Sequence, residues 1–319
     1  MRTKFKIGSD IEVGAGSVLL DNDLSLIENV SRLFASKYKP VRKLSDIEFL
    51  SLFDIPAVNA KLNSGFNLQS TAALVEHFRS RVESEWLTSP AQLADLGINT
   101  DHCSDEEITA RADQVLNYDL EWSGVPPELS CGGEIDWQKN ILENREWLAR
   151  LNRQGWWPLL GRAYQISGDE KYAMAFARQM SSWVAHLDRC DSSDESIWSC
   201  KQVALRLRVS WIPAFGLFFN SPYFNNARKL EMMRAIFDQA RYLRSQKTSD
   251  NLVFNGGLVC AGICFPELRE SRGWRQTAVD RCRSSFDSLS KATRKTCNAE
   301  LSRSSNLLAF SDREIAAVC

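Results

Sequence analysis

The residue types able to do chemistry on a ligand are crowded into one stretch of this chain, residues 134–187. Trp137, Trp147, Trp156, Trp157 and Trp183 lie there, interleaved with Asp136, Glu146, Arg150, Asn152 and Arg153. An indole face stacks on flat apolar surfaces, including the C–H faces of sugar rings, while its N–H requires a partner. A guanidinium pairs bidentately with a carboxylate or sulfate. These types in one place suit a groove for an acidic sugar polymer. They suit a plainer role equally: indoles glue helices together in a core, and Glu146 with Arg150, four residues on, forms a surface ion pair. Residue types alone leave both readings open.

The elements that must position these residues are helices. Tyr172, Phe176, Met180, Trp183 and Leu187 recur at the helical period and predict one buried face. Ser104-Asp-Glu-Glu107 and Ser167-Gly-Asp-Glu170 both have the form of a capping box. LLDNDLSLIENVSRLF, STAALVEHFRSRVESEW, RKLEMMRAIFDQARYLR and NLVFNGGLVCAGICF are further helical runs, and Ser89-Pro90 with Gly97 frames a short one. Turn formers at Asn220-Ser-Pro222 and Lys247-Thr-Ser-Asp250 separate helices, while FDIPAVNAKLNSGFN and EWSGVPPELSCGGEI are expected as loop or extended chain. No run alternates at strand period over a useful length. The expectation is an all-α domain of stacked antiparallel helical hairpins.

Composition excludes several classes. With 319 residues, 44% hydrophobic, 25% charged and a net charge of −1, the chain is an ordinary globular one. No global field steers it to nucleic acid or an anionic membrane. The longest apolar stretch, near Trp211–Phe219, is broken by Pro213 and Gly216 and is too short to span a bilayer. No apolar run follows the early basic residues as in a signal peptide, so a cytoplasmic location is expected. None of the nine cysteines forms a C-x-x-C pair, so reduced thiols, no structural zinc and no cofactor are expected. The sequence has no signal for oligomeric state.

Several separated motifs in order narrow the class: IDW, NREWL with LNR, LGRAY with SGDEKYA, and NGGLVCAGICFPEL followed by Trp274. Over residues 110–275 this resembles the N-terminal helical domain of the heparinase II/III-like polysaccharide lyases. The resemblance implies an incomplete (α/α) toroid over 111–275, preceded by a mostly helical region, 1–110, and in the family followed by a β-sandwich. It also implies an acidic, uronic-acid-containing polysaccharide as partner and β-elimination as chemistry. In such a reaction the C5 carboxylate is neutralised, a base takes the C5 proton, and an acid protonates the leaving O4.

On that resemblance Asn251 is the carboxylate-neutralising residue, with Asn255 as fallback because the spacing to the Gly-Leu pair is about two residues short. Either Asn also serves as an ordinary helix cap. Arg150, Asn152, Arg153 and Tyr164 would line the groove, with Trp156 and Trp157 beneath the sugar. Gly256 and Gly257 allow close approach of a sugar or of another helix. The family's catalytic Tyr-His falls where this chain has Ser305 and Asn306, and a Ser hydroxyl without a base cannot replace that pair. His77, His102 and His186 all precede that region.

Residues 269–303 hold nine Arg or Lys against four acids. A basic tail over 276–319 is therefore expected, solvated or anion-binding. Two explanations of the missing Tyr-His follow: a truncated or degenerate lyase that binds glycan with little or no turnover, or a reading-frame error that makes residues after about 280 a non-native continuation. A helical interaction scaffold with no role toward sugars is the third alternative.

Overall fold

The computed structural model describes residues 44–64, 67–81, 103–117, 134–138, 145–187, 195–246 and 252–284, together with short strands at 4–6, 12–14 and 130–131. The helices are α1 (Asp46–Leu50), α2 (Pro56–Asn63), α3 (Asn67–Arg79), α4 (Asp105–Leu116), α5 (Arg145–Leu151), α6 (Trp157–Ser167), α7 (Glu170–Leu187) and α8 (Glu195–Trp198). There follow α9 (Cys200–Leu205), a π-helical segment (Arg206–Trp211), α10 (Ile212–Leu217), α11 (Asn226–Ser245), α12 (Leu252–Cys264) and α13 over 271–284. Among the described residues the only strands form two small antiparallel ladders, β1 (Lys4–Lys6) with β2 (Glu12–Gly14) and β3 (Ser130–Cys131) with β4 (Glu134–Ile135). The domain is all-α, an incomplete (α/α) toroid. The helices expected at 19–34 and 89–97, and the turn at 247–250, lie outside the described residues.

Helix ends follow local chemistry. The capping box at Ser104 is present: its Oγ accepts from Glu107 N at 3.2 Å while Glu107 Oε2 accepts from Ser104 N at 3.0 Å. The one expected at Ser167 is not. Ser167 ends α6, Gly168 closes it at φ 68°, and Asp169 caps α7 by accepting from Lys171 N at 2.9 Å. Glu170 is drawn away from the cap toward Tyr164 and Ser221. The left-handed turn lets two helices meet through two residues. The expected loop around Pro56 is partly α2, because Pro at the first helical turn has no N–H to lose and its φ is already helical.

The run ALRLRVSWIP widens to a π-helix just before Pro213. An α-helical register would press the proline ring against the Val209 carbonyl, and the wider turn relieves that contact. This segment packs with α9 against α12, and α10 packs on α6. The long α11 lies against α12, α7 and α3.

One continuous core joins all of these helices. Tyr172, Phe176, Met180, Trp183 and Leu187 are buried as their spacing predicts. Gly257 permits the closest helix contact, since a Cβ there would sit 2.6 Å from Ala204 Cα. Residues 275–284 are not a loose tail: Trp274 and Ala278 are fully buried, and Arg281 donates to the carbonyls of Leu243, Arg244 and Gln246, capping the end of α11. A guanidinium at a helix C-terminus satisfies orphan carbonyls and the helix dipole together.

Candidate functional site

The tryptophan-rich turn between α5 and α6 is built inward. Trp156 and Trp157 have no exposed surface, and both indole N–H groups donate to Gln179 Oε1, at 2.9 and 3.0 Å. Trp183 donates to Asn152 Oδ1 at 2.9 Å, and Trp211 donates to Gln154 Oε1 at 2.9 Å. Asn152 itself donates to the carbonyls of Trp137 and Leu148, at 3.2 and 3.0 Å. Trp137 and Trp156 stack with planes 3° apart, and Trp157 packs edge-on to Phe176.

Three buried amides therefore satisfy four buried indoles, as the cost of an unpaired N–H in a core requires. Gln154 holds a left-handed φ of 50°, which costs a non-glycine residue about 1–3 kcal/mol, and its carbonyl accepts from Ser210 Oγ at 2.6 Å. The expectation that Trp156 and Trp157 lie beneath a sugar, with Asn152 lining the groove, gives way here. All three have their faces covered, and their polar atoms are bonded within the core.

Arg150 and Arg153 do reach the surface. They converge on Glu146, at 3.5 and 2.5 Å, with Arg150 about half exposed and Arg153 largely covered. The Arg153 hydrogen bond holds the Glu146 carboxyl below its ordinary range, helped by the field of Lys201. This leaves a small patch of three cations around one acid. Tyr164 stands apart from it. Its hydroxyl donates to Glu170 Oε1 at 3.1 Å, and Ser221 Oγ donates to the other carboxylate oxygen at 2.6 Å. Burial, then Glu170, pushes the phenol above its ordinary value, so it is a poor base as placed.

The opening turns of α12 are the second region of interest. Asn251 lies outside the described residues, and Asn255 is buried at 1% exposure. The two glycines differ. Gly257 faces the α9 backbone, whereas a Cβ on Gly256 would have only the Arg208 side chain at 3.8 Å. Arg208, from the π-helical segment, is partly exposed, and no carboxylate among the described residues pairs with it. It also opposes the rise that burial imposes on the Cys260 thiol. Gly256 and Cys260, four apart, therefore present one face of α12 to this guanidinium.

Sequence reasoning missed Arg208. The signal was there in LRLRVSW, two arginines inside an apolar run, but the two have opposite fates. Arg206 is buried, its guanidinium 4.5 Å from the Trp183 ring and bonded to the Ile197 carbonyl. Only Arg208 is left over.

The Phe-Pro-Glu corner is structural. Glu267 pairs with Arg81 and, at 2.8 Å, with His77, and Arg81 also donates to the Cys264 carbonyl at 2.6 Å. Its carbonyl accepts from Asp54 N at 2.7 Å, which ties the start of the domain to the end of α12. His77 belongs to this clamp, His186 is buried on α7, and His102 lies outside the described residues. Cys103, Cys260 and Cys282 are free thiols. No group of ligands with metal-binding geometry occurs among the described residues, and no helix there is long and apolar enough to cross a membrane.

The sequence profile of the Heparinase II/III N-terminus family matches residues 49–289, and the chain belongs to that family. The heparin-sulfate lyase of Pedobacter heparinus is 27% identical over 254 residues, covering 77% of this chain and 38% of that protein. The heparin-sulfate lyase of Bacteroides stercoris is 25% identical over 244 residues, covering 70% and 35%.

Among solved structures, the heparan sulfate lyase of Pedobacter heparinus superposes with a TM-score of 0.64 at 24% identity, over 76% of this chain and 39% of that one. A heparinase III structure gives 0.59 at 23%, over 73% and 38%. Identities this low show the shared fold. The chain spans less than two fifths of the length of these relatives, and the family match continues past Trp274 into the docked helix α13.

Proposed function

We propose that this chain is the substrate-holding helical domain of a polysaccharide lyase acting by β-elimination on a sulfated, uronic-acid-containing glycan. The observation that carries the reading is Arg208, a cation with no described carboxylate partner, set beside Gly256 on the helix that begins after Asn251. Relatives named for heparin-sulfate lysis support the substrate class. In this reading the Asn251 amide donates to the C5 carboxylate and Arg208 supplies positive charge to the same sugar, which acidifies the C5 proton. Arg150 and Arg153 hold a further anionic group at the rim.

Two measurements test this. Incubation with heparan sulfate and other uronic-acid polymers should raise absorbance near about 232 nm as unsaturated ends form. Calorimetric titration with a heparan sulfate oligosaccharide should show binding that weakens with salt, and Arg208→Gln should weaken it about tenfold. Absence of both binding and absorbance rise sinks the proposal. A second reading, glycan binding without turnover, is favoured by Ser305 and Asn306, which stand where the family resemblance places Tyr and His. It predicts binding with no absorbance change.

A further inference from the structure

Lys229 is 3% exposed and lies in the first turn of α11, yet no carboxylate among the described residues is within ion-pair distance of it. Its ammonium donates to the Phe224 carbonyl and lies 5.1 and 5.2 Å from the centroids of the Phe219 and Phe224 rings. The nearest charged group that acts on it is another cation, Arg79, and burial with this repulsion lowers its pKa to about 8. Buried charges in proteins are ordinarily paired. Here the lysine instead lines an open cleft of about 500 Å³, shared with Arg79, Asn220, Ser221, Asn225 and Asn226.

The start of α11 adds positive potential to the cleft. Helix α11 is 20 residues long with no acid in its first turn, so its N-terminal dipole is uncompensated there. Asn225 caps the Arg228 N–H at 3.1 Å, which leaves the amides of Asn226 and Ala227 pointing out of the helix start. The two nearby carboxylates are engaged: Glu76 with Arg79 at 2.6 Å, and Glu170 with Ser221 and Tyr164. A buried ammonium without a carboxylate partner and a helix N-terminus at one cleft, with the Arg79–Glu76 pair at its edge, match an oxyanion.

We infer that this cleft is a second anion site that takes a sulfate or phosphate group, separate from the face around Arg208. The cleft is lined by Arg79 of α3 and by the start of α11 with the residues just before it, whereas Arg208 belongs to the π-helical segment and lies beside Gly256 of α12. The inference stands whether or not the chain proves to be a lyase, since it rests on Lys229 and the start of α11.

The test is a titration of the full chain with millimolar sodium sulfate, following the amide resonances of Asn226 and Ala227, against sodium chloride at matched ionic strength. Saturable shifts with sulfate only are expected. Lys229→Met should raise the half-saturation concentration at least about tenfold, and Arg79→Gln should raise it several-fold. Met replaces an unpaired buried charge with an apolar chain of similar length, so the fold should hold, and Arg79 is half exposed. Parallel titrations with inorganic phosphate and a sulfated monosaccharide separate the sources. Tighter saturation by the sugar assigns a glycan-borne sulfate and tighter saturation by phosphate assigns a free anion, and either supports the site. Equal shifts in chloride, shifts that do not saturate, or saturation unchanged in both variants would overturn it.

Discussion

The turn at residues 152–157 and the head of α12 present opposite pictures. The turn is rich in tryptophan, arginine and amide side chains, the types that bind sugars, yet its indoles face inward and every described amide oxygen there holds an indole proton. The head of α12 is nearly all small and apolar, yet it lies against a guanidinium that no described carboxylate neutralises. The same chemistry, a planar donor meeting an acceptor, stabilises the core in the first case and is left open to a ligand in the second. Availability, rather than residue type, separates a candidate site from a scaffold.

That contrast can be broken or sharpened experimentally. Trp157→Ala should destabilise the domain by about 4 kcal/mol in urea unfolding, because it empties core volume. Glycan affinity of the molecules still folded should not change. A loss of affinity with stability intact would return Trp157 to the binding surface. Gln179→Ala should cost about 3 kcal/mol by leaving the Trp156 and Trp157 protons without an acceptor, again measured by the urea midpoint.

The neighbouring glycines give a tighter comparison. Gly257→Ala should cost about 2 kcal/mol, since its Cβ would collide with the α9 backbone. Gly256→Ala should leave stability within about 1 kcal/mol of wild type. Calorimetry should show weakened glycan binding for Gly256→Ala alone if the face beside Arg208 holds sugar. Equal destabilisation by both would show that α12 is packed alike on both faces.

A further comparison concerns pH. Lys229 in the folded chain loses its proton near pH 8, against 10.5 for an ordinary lysine. Between these values the unfolded chain binds more protons, so wild-type stability should rise with pH relative to Lys229→Met, and the difference should be flat below about pH 8. Paired denaturation curves from pH 6 to 10.5 check it. A falling difference would mean that a carboxylate pairs with Lys229 in solution.

Much of the architecture was legible from local pattern. The buried face from Tyr172 to Leu187 and the capping box at Ser104 each depend on residues within a few positions of one another. The failures share a cause. Glu170 was read as a cap partner because Ser167 stands three residues before it, but Tyr164 and Ser221, the latter 51 residues away, compete for its carboxylate and win. The basic character after Trp274 suggested a solvated tail, yet Arg281 finds three carbonyls at the end of α11. Arg206 and Arg208 differ by two positions in one run and so face opposite sides of the helix, and only the packing of the neighbouring helices decides that one enters the core while the other lies beside α12.

The sequence by itself determined that the chain is helical, where most helices run and which family motifs it bears, because helical periodicity and capping are short-range properties. It could not determine which tryptophans are covered, which arginine lacks a counter-ion, or that Lys229 is buried in a cleft facing Arg79. Those properties depend on what a distant helix places opposite each side chain, and burial and charge pairing exist only once the helices have packed.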